Sequence, residues 1–252
     1  MANPRMWMLA VILINSIPGD TCVEIIGGRE VKAHSKPFMA LIRGDEGLCG
    51  GALIKQDWVL TAAHCKSNVM NVTLGAHSSS RPEKEQQQFA VARAIPHSKF
   101  NLKTGVSDLM LLKLNKPARL NQYVKILALP KPVKDEPKNT QCTIAGWGLT
   151  QPNGKQASDK LMAVNVKVVN RKECGKIYKK MKIKIKITSD MLCAWDDQGR
   201  KDTSNGDSGG PLVCGEKFVA VVSFGKKGAP GVYTLLSSKH VKWIHKIIGG
   251  NQ

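Results

Sequence analysis

Acidic side chains are scarce in this 252-residue sequence: 19 Asp and Glu stand against 38 Lys and Arg, a formal net charge of +19. A field of that sign draws polyanions without specifying which ones. Aromatic residues make up only 5%, and none interleaves the basic run Lys180 to Ile187, so stacking on nucleic-acid bases is disfavoured as the use of the charge. Long apolar runs are also missing. The stretch Trp7 to Ile14, behind Arg5, falls far short of the roughly 20 residues of a membrane-spanning helix, and no later stretch competes for a membrane. It reads as a secretory signal peptide, with cleavage after Gly19 or after Cys22. No internal repeat occurs, which removes the solenoid architectures. The seven cysteines lack the close ligand pairs of a zinc site, so disulfides in an oxidising compartment are the better reading.

Seven is an odd number. Trimming the chain to Ile25 removes Cys22 and leaves Cys49, Cys65, Cys142, Cys174, Cys193 and Cys214, which can pair fully. It also removes Arg5, Asp20 and Glu24, so the trimmed chain carries 37 basic and 17 acidic residues, a net of +20.

What is present is 42% hydrophobic residues in a chain long enough for one large domain or two packed halves. Short apolar stretches recur between turn signals: Phe38 to Ile42, Ala52 to Ile54, Trp58 to Thr61, Val69 to Leu74, Phe89 to Ile95 and Leu109 to Leu114. A second series follows at Gln141 to Trp147, Leu161 to Val169, Pro211 to Val213, Phe218 to Phe224 and Gly231 to Leu235. Many short, evenly spaced strands argue for a closed all-β architecture. The Pro- and Lys-rich segment Asn115 to Asn139 places the boundary between two β-barrel halves. Only the end reads as helical: Ser237 or Ser238 can cap a segment with Val241, Ile244 and Ile248 on one face, and Gly249-Gly250 stops it. In Lys180 to Ile187, strict alternation predicts an extended strand with lysines on one face and isoleucines on the other. Two uses stand level: an edge strand protected by its lysines, or a polyanion site.

The chemistry-bearing stretch is Gly206-Asp207-Ser208-Gly209-Gly210-Pro211-Leu212. A serine hydroxyl becomes a useful nucleophile only with a base at its oxygen and amide donors where an oxyanion forms. Gly206 and Gly209 permit the tight backbone that can turn the N–H groups of Gly206 and Ser208 toward one point. Such composition also suits an ordinary surface turn. The candidate base is His64 in Thr61-Ala62-Ala63-His64-Cys65, and the candidate acid is Asp108 at the mouth of the apolar strand that follows it. His34, His77, His97, His240 and His245 read as structural or exposed. The order His, Asp, Ser is that of the chymotrypsin arrangement.

Together with Ile25-Ile26-Gly27-Gly28, Leu74-Gly75-Ala76-His77-Ser78, Gly146-Trp147-Gly148 and Pro230-Gly231-Val232-Tyr233, these motifs resemble a chymotrypsin-fold serine protease from Ile25 to about Gly249. Within that family the resemblance is to granzymes of the A and K kind. It implies two packed six-stranded β-barrels, all-β, with a short C-terminal helix, and a serine endopeptidase with neither metal nor cofactor. It implies His64, Asp108 and Ser208 as catalytic residues, the amides of Gly206 and Ser208 as oxyanion hole, and Ser223 on the segment that pairs with the substrate backbone. Asp202 falls at the base of the primary specificity pocket and implies cleavage after Arg or Lys, with Gly225 and Gly231 leaving that pocket open. Ser204 and the short loop Lys226-Lys227-Gly228-Ala229 lack the cysteines that usually brace it, which implies a weakened basic preference.

The resemblance also pairs Cys49 with Cys65, Cys142 with Cys214, and Cys174 with Cys193. It divides the chain into a signal peptide (1–22), an activation propeptide (23–24) and a protease domain (25–252). A dipeptidase would remove Val23-Glu24, and the new amino group of Ile25 would pair with Asp207. Secretion or storage in a cytotoxic-cell granule follows, with protein substrates, acidic proteoglycans or glycosaminoglycans and serpin-type inhibitors as partners. No cysteine lies between Arg93 and Asp108, where the granzyme A dimer has one, which favours a monomer. Asn71-Val72-Thr73 is a glycosylation acceptor motif. The competing expectation is an inactive or weakly active homologue that binds glycosaminoglycans or microbes through its charge.

Overall fold

The short apolar stretches become strands because each can bury one face only by closing a sheet on itself. A computed structural model of the protein describes residues 28–45, 47–131, 135–148, 157–196 and 207–249. The signal segment, Val23-Glu24, Ile25, Asp202, Ser204 and Gly206 lie outside these residues.

Strand β1 (Arg29–Glu30) is a short edge piece. Six strands then form a closed antiparallel barrel: β2 (Met39–Gly44), β3 (Gly47–Lys55), β4 (Trp58–Thr61), β5 (Met70–Leu74), β6 (Gln87–Pro96) and β7 (Met110–Leu114), in the order β2-β3-β4-β7-β6-β5. Period-two alternation sends Met70, Val72 and Leu74 inward, together with Met110, Leu112 and Leu114. Leu109 and Leu111 are also buried, against the neighbouring half. That double burial is why β7 reads as a continuous apolar run.

The second ring consists of β8 (Gln141–Gly146), β9 (Met162–Val169), β10 (Met191–Trp195), β11 (Pro211–Cys214), β12 (Lys217–Phe224) and β13 (Gly231–Leu235). Its order is β9-β10-β13-β12-β11-β8, closed by pairing of β8 with β9. On its other side β9 is shared, with β1 opposite Met162 and Ala163 and β10 opposite Val168 and Val169. The two halves are thus six-stranded barrels, as expected, and the connection between them lies where the Pro- and Lys-rich segment placed it. It is stitched down by Ala118 N–H to the Gln56 carbonyl (2.7 Å) and Leu127 N–H to the Leu53 carbonyl (2.8 Å).

Two elements depart from expectation. The chain has a second helix, α1 (Arg171–Lys180), before the C-terminal α2 (Ser238–Ile248). Its start is fixed by Asn170, whose side chain accepts from the Lys172 N–H at 2.8 Å, while Glu173 sits in the first turn and Lys179 and Lys180 in the last. Few apolar residues mark it in the sequence, because it buries only Cys174 and Tyr178 and is fastened to β10 by the Cys174–Cys193 disulfide.

The lysine–isoleucine run is not a strand, which also removes its reading as a protected edge. Helix α1 takes Lys180, Lys182 turns the chain with φ of 59°, and residues 183–188 make no ladder. The alternation survives without the sheet: Lys182, Lys184 and Lys186 are exposed, and Ile183, Ile185 and Ile187 are half-buried.

The three disulfides are Cys49–Cys65, Cys142–Cys214 and Cys174–Cys193. Among the described residues no helix is long and apolar enough to cross a membrane. The seam between the barrels is filled by Leu60 and Leu111 from one, Phe218 and Val221 from the other, and Val241 and Ile244 of α2.

A polar tie crosses the same boundary. Asp159 Oδ1 accepts from the Ser78 hydroxyl (2.7 Å) and the Ser80 N–H (2.9 Å). Desolvation opposes its charge, but the bonds from Ser80 and Ser78 and the nearby Lys160 outweigh it and hold the carboxyl at about 2. A depressed carboxylate adds stability above its unfolded pKa of about 3.9 and loses it as pH falls toward the folded value. Asp159→Asn is therefore expected to melt below the parent at neutral pH, with the difference narrowing from about pH 4 toward pH 2 in pH-resolved thermal melts.

Candidate active site

Strand β4 ends in Thr61, and the chain passes at once into a single 3-10 turn, Ala63–Cys65. Ala62 and Ala63 are buried, so larger side chains have no room there. The Cys49–Cys65 bridge pins the end of the turn to β3. His64 is thereby presented at the barrel edge with its side chain 23% exposed.

Its partner Asp108 is 2% exposed and accepts three hydrogen bonds. His64 N–H donates to Oδ1 (3.0 Å), and the ring Nδ1 lies 2.7 Å from Oδ2. The Ser223 hydroxyl donates to Oδ2 at 2.6 Å. A carboxylate facing Nδ1 places the ring proton there and leaves Nε2 as the acceptor nitrogen.

Ser208 reaches this place from the second barrel. Its carbonyl accepts from the Gly50 N–H (2.8 Å) and lies 3.7 Å from Cys65 Sγ. Gly209 N–H donates to the Val222 carbonyl at 2.9 Å, so the loop is held from both barrels. Gly209 has φ of +80°, and a Cβ there would overlap the Thr61 hydroxyl and sit 2.6 Å from the Gly50 carbonyl oxygen. Among the described residues no hydrogen bond joins the His64 ring to the Ser208 hydroxyl; such bonds commonly tighten only when substrate is bound. Before the serine, Asp207 is 1% exposed and accepts from Gly148 N–H at 3.0 Å. Gly146 leaves space for it, because a Cβ there would overlap Oδ1.

A cavity of about 340 Å3 opens beside these groups, lined by His64, Asp108, Ser223, Phe224, Gly225 and Lys226. Gly225 is exposed, whereas Gly231 is buried opposite Ala194 on β10. Asn71 is exposed on β5 with Thr73 half-buried, so the acceptor motif faces outward from the first barrel. One cluster with ligand-like spacing, Cys49, His64 and Cys65, is no metal centre, since both sulfurs are committed to their disulfide.

The trypsin family model matches residues 25–244. The chain belongs to the trypsin family. It is 44% identical to granzyme A of Bos taurus over 247 residues, covering 96% of this chain and 95% of that protein. It is 40% identical to mast cell protease 3 of Ovis aries over 247 residues (96% and 95%). With cathepsin G of Homo sapiens it shares 38% over 248 residues (96% and 93%). Trypsin-family serine endopeptidase is thus the class of this protein.

Two features of this trypsin-family site escaped the sequence. Phe100, Leu102, Ile183 and Ile185 also line the cavity; the isoleucine face of the alternating run was the signal for two of them, but nothing local said what it would face. The other is His240, read only as structural or exposed and found 2% exposed. Its Nδ1 lies 2.6 Å from the Leu235 carbonyl and its Nε2 3.3 Å from the Ser107 hydroxyl. Ser107, directly before Asp108, holds φ of +51°, so His240 supports the strained residue that aims the carboxylate.

Gly209→Ala is expected to cost about 1–3 kcal/mol of stability and to cut kcat by at least about tenfold, measured by denaturant melts and steady-state turnover of a peptide ester. Burial lowers the pKa of His240 against the raising effects of the Leu235 carbonyl and Asp190, with Lys239 lowering it further; His97 nearby is lowered by burial, His240 and Lys99 and raised by Asp190. A histidine buried neutral gains its proton more readily when unfolded, so stability is full above about pH 6.5 and declines below it. His240→Gln is expected to flatten that decline between about pH 6.5 and 5 in thermal melts.

Proposed function

We propose that the protein is a secreted, granule-stored serine endopeptidase of granzyme type that hydrolyses peptide bonds after Arg or Lys through His64, Asp108 and Ser208. The observation that carries this reading is the Asp108 carboxylate, buried and bonded to both His64 Nδ1 and Ser223 (2.7 and 2.6 Å), in a chain of the trypsin family. In the proposed cycle His64 Nε2 takes the Ser208 proton as Oγ attacks the scissile carbonyl, and Asp108 stabilises the resulting imidazolium. The amides of Gly206 and Ser208 hold the oxyanion. The imidazolium returns its proton to the leaving amine, and water repeats the sequence on the acyl-enzyme.

Asp202 is the proposed selector of Arg or Lys, since a buried cation needs its counter-charge. Ser204 and the turn Lys226 to Ala229 lack a bracing disulfide, so the preference is weaker than in a braced pocket. Removal of Val23-Glu24 by a dipeptidase would free the Ile25 amino group to pair with Asp207; the buried setting of Asp207 beside Gly146 and Gly148 suits that partner. Acidic proteoglycans fit the net charge of +19, serpin-type inhibitors fit the mechanism, and Asn71 is the proposed glycan acceptor.

The opposing reading is a cationic glycosaminoglycan- or microbe-binding homologue without turnover, favoured only by the charge. Incubating protein starting at Ile25 with a phosphonate probe bearing an arginine side chain decides between them. Covalent labelling, lost in Ser208→Ala and weakened at least about tenfold in Asp202→Ser, is expected. Absence of labelling would leave the binding protein, and equal labelling of Asp202→Ser would remove the proposed selector.

A further inference from the structure

A second cleft, larger than the His64 cavity, measures about 810 Å3 and lies between α1, the ends of β9 and β10, and the 183–187 segment. Of the six cations that line it, Lys172, Lys179, Lys184 and Lys186 are exposed and none of these four is in an ion pair among the described residues. The other two are already used, Arg171 by Asp135 and Lys138 by Glu173. Apolar lining comes from Val168, Leu192 and the isoleucines of the alternating run, and Asp135, Glu136 and Asn170 add polar groups.

Ile183 and Ile185 line this cleft and the His64 cavity alike. The segment is therefore a thin partition, with exposed lysines beside the cleft and two of its three isoleucines shared by both chambers.

From this arrangement we infer that the cleft is an exosite for an acidic segment of a protein substrate, one in which Asp or Glu alternates with apolar side chains. The inference rests on the proteolytic reading of the neighbouring cavity for its purpose, though not for its binding. Four unpaired ammonium groups around one cleft favour an anionic partner, and an extended peptide alternates its side chains with the same period as the run that receives it. A sulfated polysaccharide matches the charge but has nothing to bury on Val168, Leu192 and Ile187. It also meets Glu136 in the lining, which repels a uniformly anionic chain more than one whose acids are interrupted by apolar residues. Docking there would raise the local concentration of a scissile bond in the adjoining cavity, lowering KM with little change in kcat.

The test uses the full chain from Ile25 carrying Ser208→Ala, so that binding is read without cleavage. A fluorescent dodecapeptide of alternating Glu and Leu, its Glu/Ser counterpart of equal charge, and a heparin oligosaccharide are titrated by anisotropy. The Glu/Leu peptide is expected to bind about tenfold tighter than the Glu/Ser peptide and to weaken about tenfold or more in Lys184→Ser/Lys186→Ser. Equal affinity for both peptides and for the oligosaccharide, or indifference to the lysine substitutions, would overturn the exosite. In active protein, fusing the Glu/Leu segment upstream of a cleavable sequence is expected to lower KM about tenfold, with a short untagged substrate unaffected by the lysine substitutions. Peptide binding without any turnover would remove the proteolytic reading and leave the cleft standing; turnover without selective binding would do the reverse.

Discussion

The buried carboxylate of Asp108 is the constraint on which this structure depends. A charge taken out of water is tolerated only when several donors meet it, and here the donors come from both halves of the molecule. His64 supplies a main-chain and a ring contact from the first barrel, and Ser223 supplies a hydroxyl from the second. The barrels cannot drift apart without breaking the Ser223 bond to that carboxylate. The requirement of burying an anion thus fixes the position of the imidazole.

The serine loop obeys the same logic with backbone groups. Gly50 and Val222, one from each barrel, bond to consecutive residues of the loop, and Gly209 fits only because it has no side chain. Small residues at 62, 63, 146 and 209 are therefore requirements of close approach, made by a site that lies in a seam. Such a seam is filled by apolar contacts, and its polar ties, Asp159 among them, set its register.

Much of this was legible along the chain. The motifs around His64, Asp108 and Ser208 sit in tight turns beside strands, where local spacing and small neighbours are visible in one dimension. The strands were legible where one face is buried and the other wet, or where both are buried, as in β7. What stayed hidden depends on contacts distant in sequence. Helix α1 is held by an asparagine cap and a disulfide and buries too little to show a stripe. The lysine–isoleucine run carries the period of a strand, yet its backbone has no neighbour to pair with, so period correctly gave the two faces and wrongly gave the sheet. His240 could not be told from a surface histidine, because its role comes from Ser107, 133 positions away. Asp202 and Ile25 were legible only through the family resemblance, because neither carries a local signal of its own.

Helix α2 carries a temporal consequence. Val241 and Ile244 close the seam between barrels whose strands are all complete by Leu235, and His240 props the residue before the acid. During synthesis on the ribosome each barrel can collapse as its own strands emerge, but the wedge that locks them together emerges only after the last strand of both. A chain that has not yet released α2 therefore lacks both the fill of its seam and the prop under Ser107, so the surroundings of Asp108 are the last part of the fold to be completed.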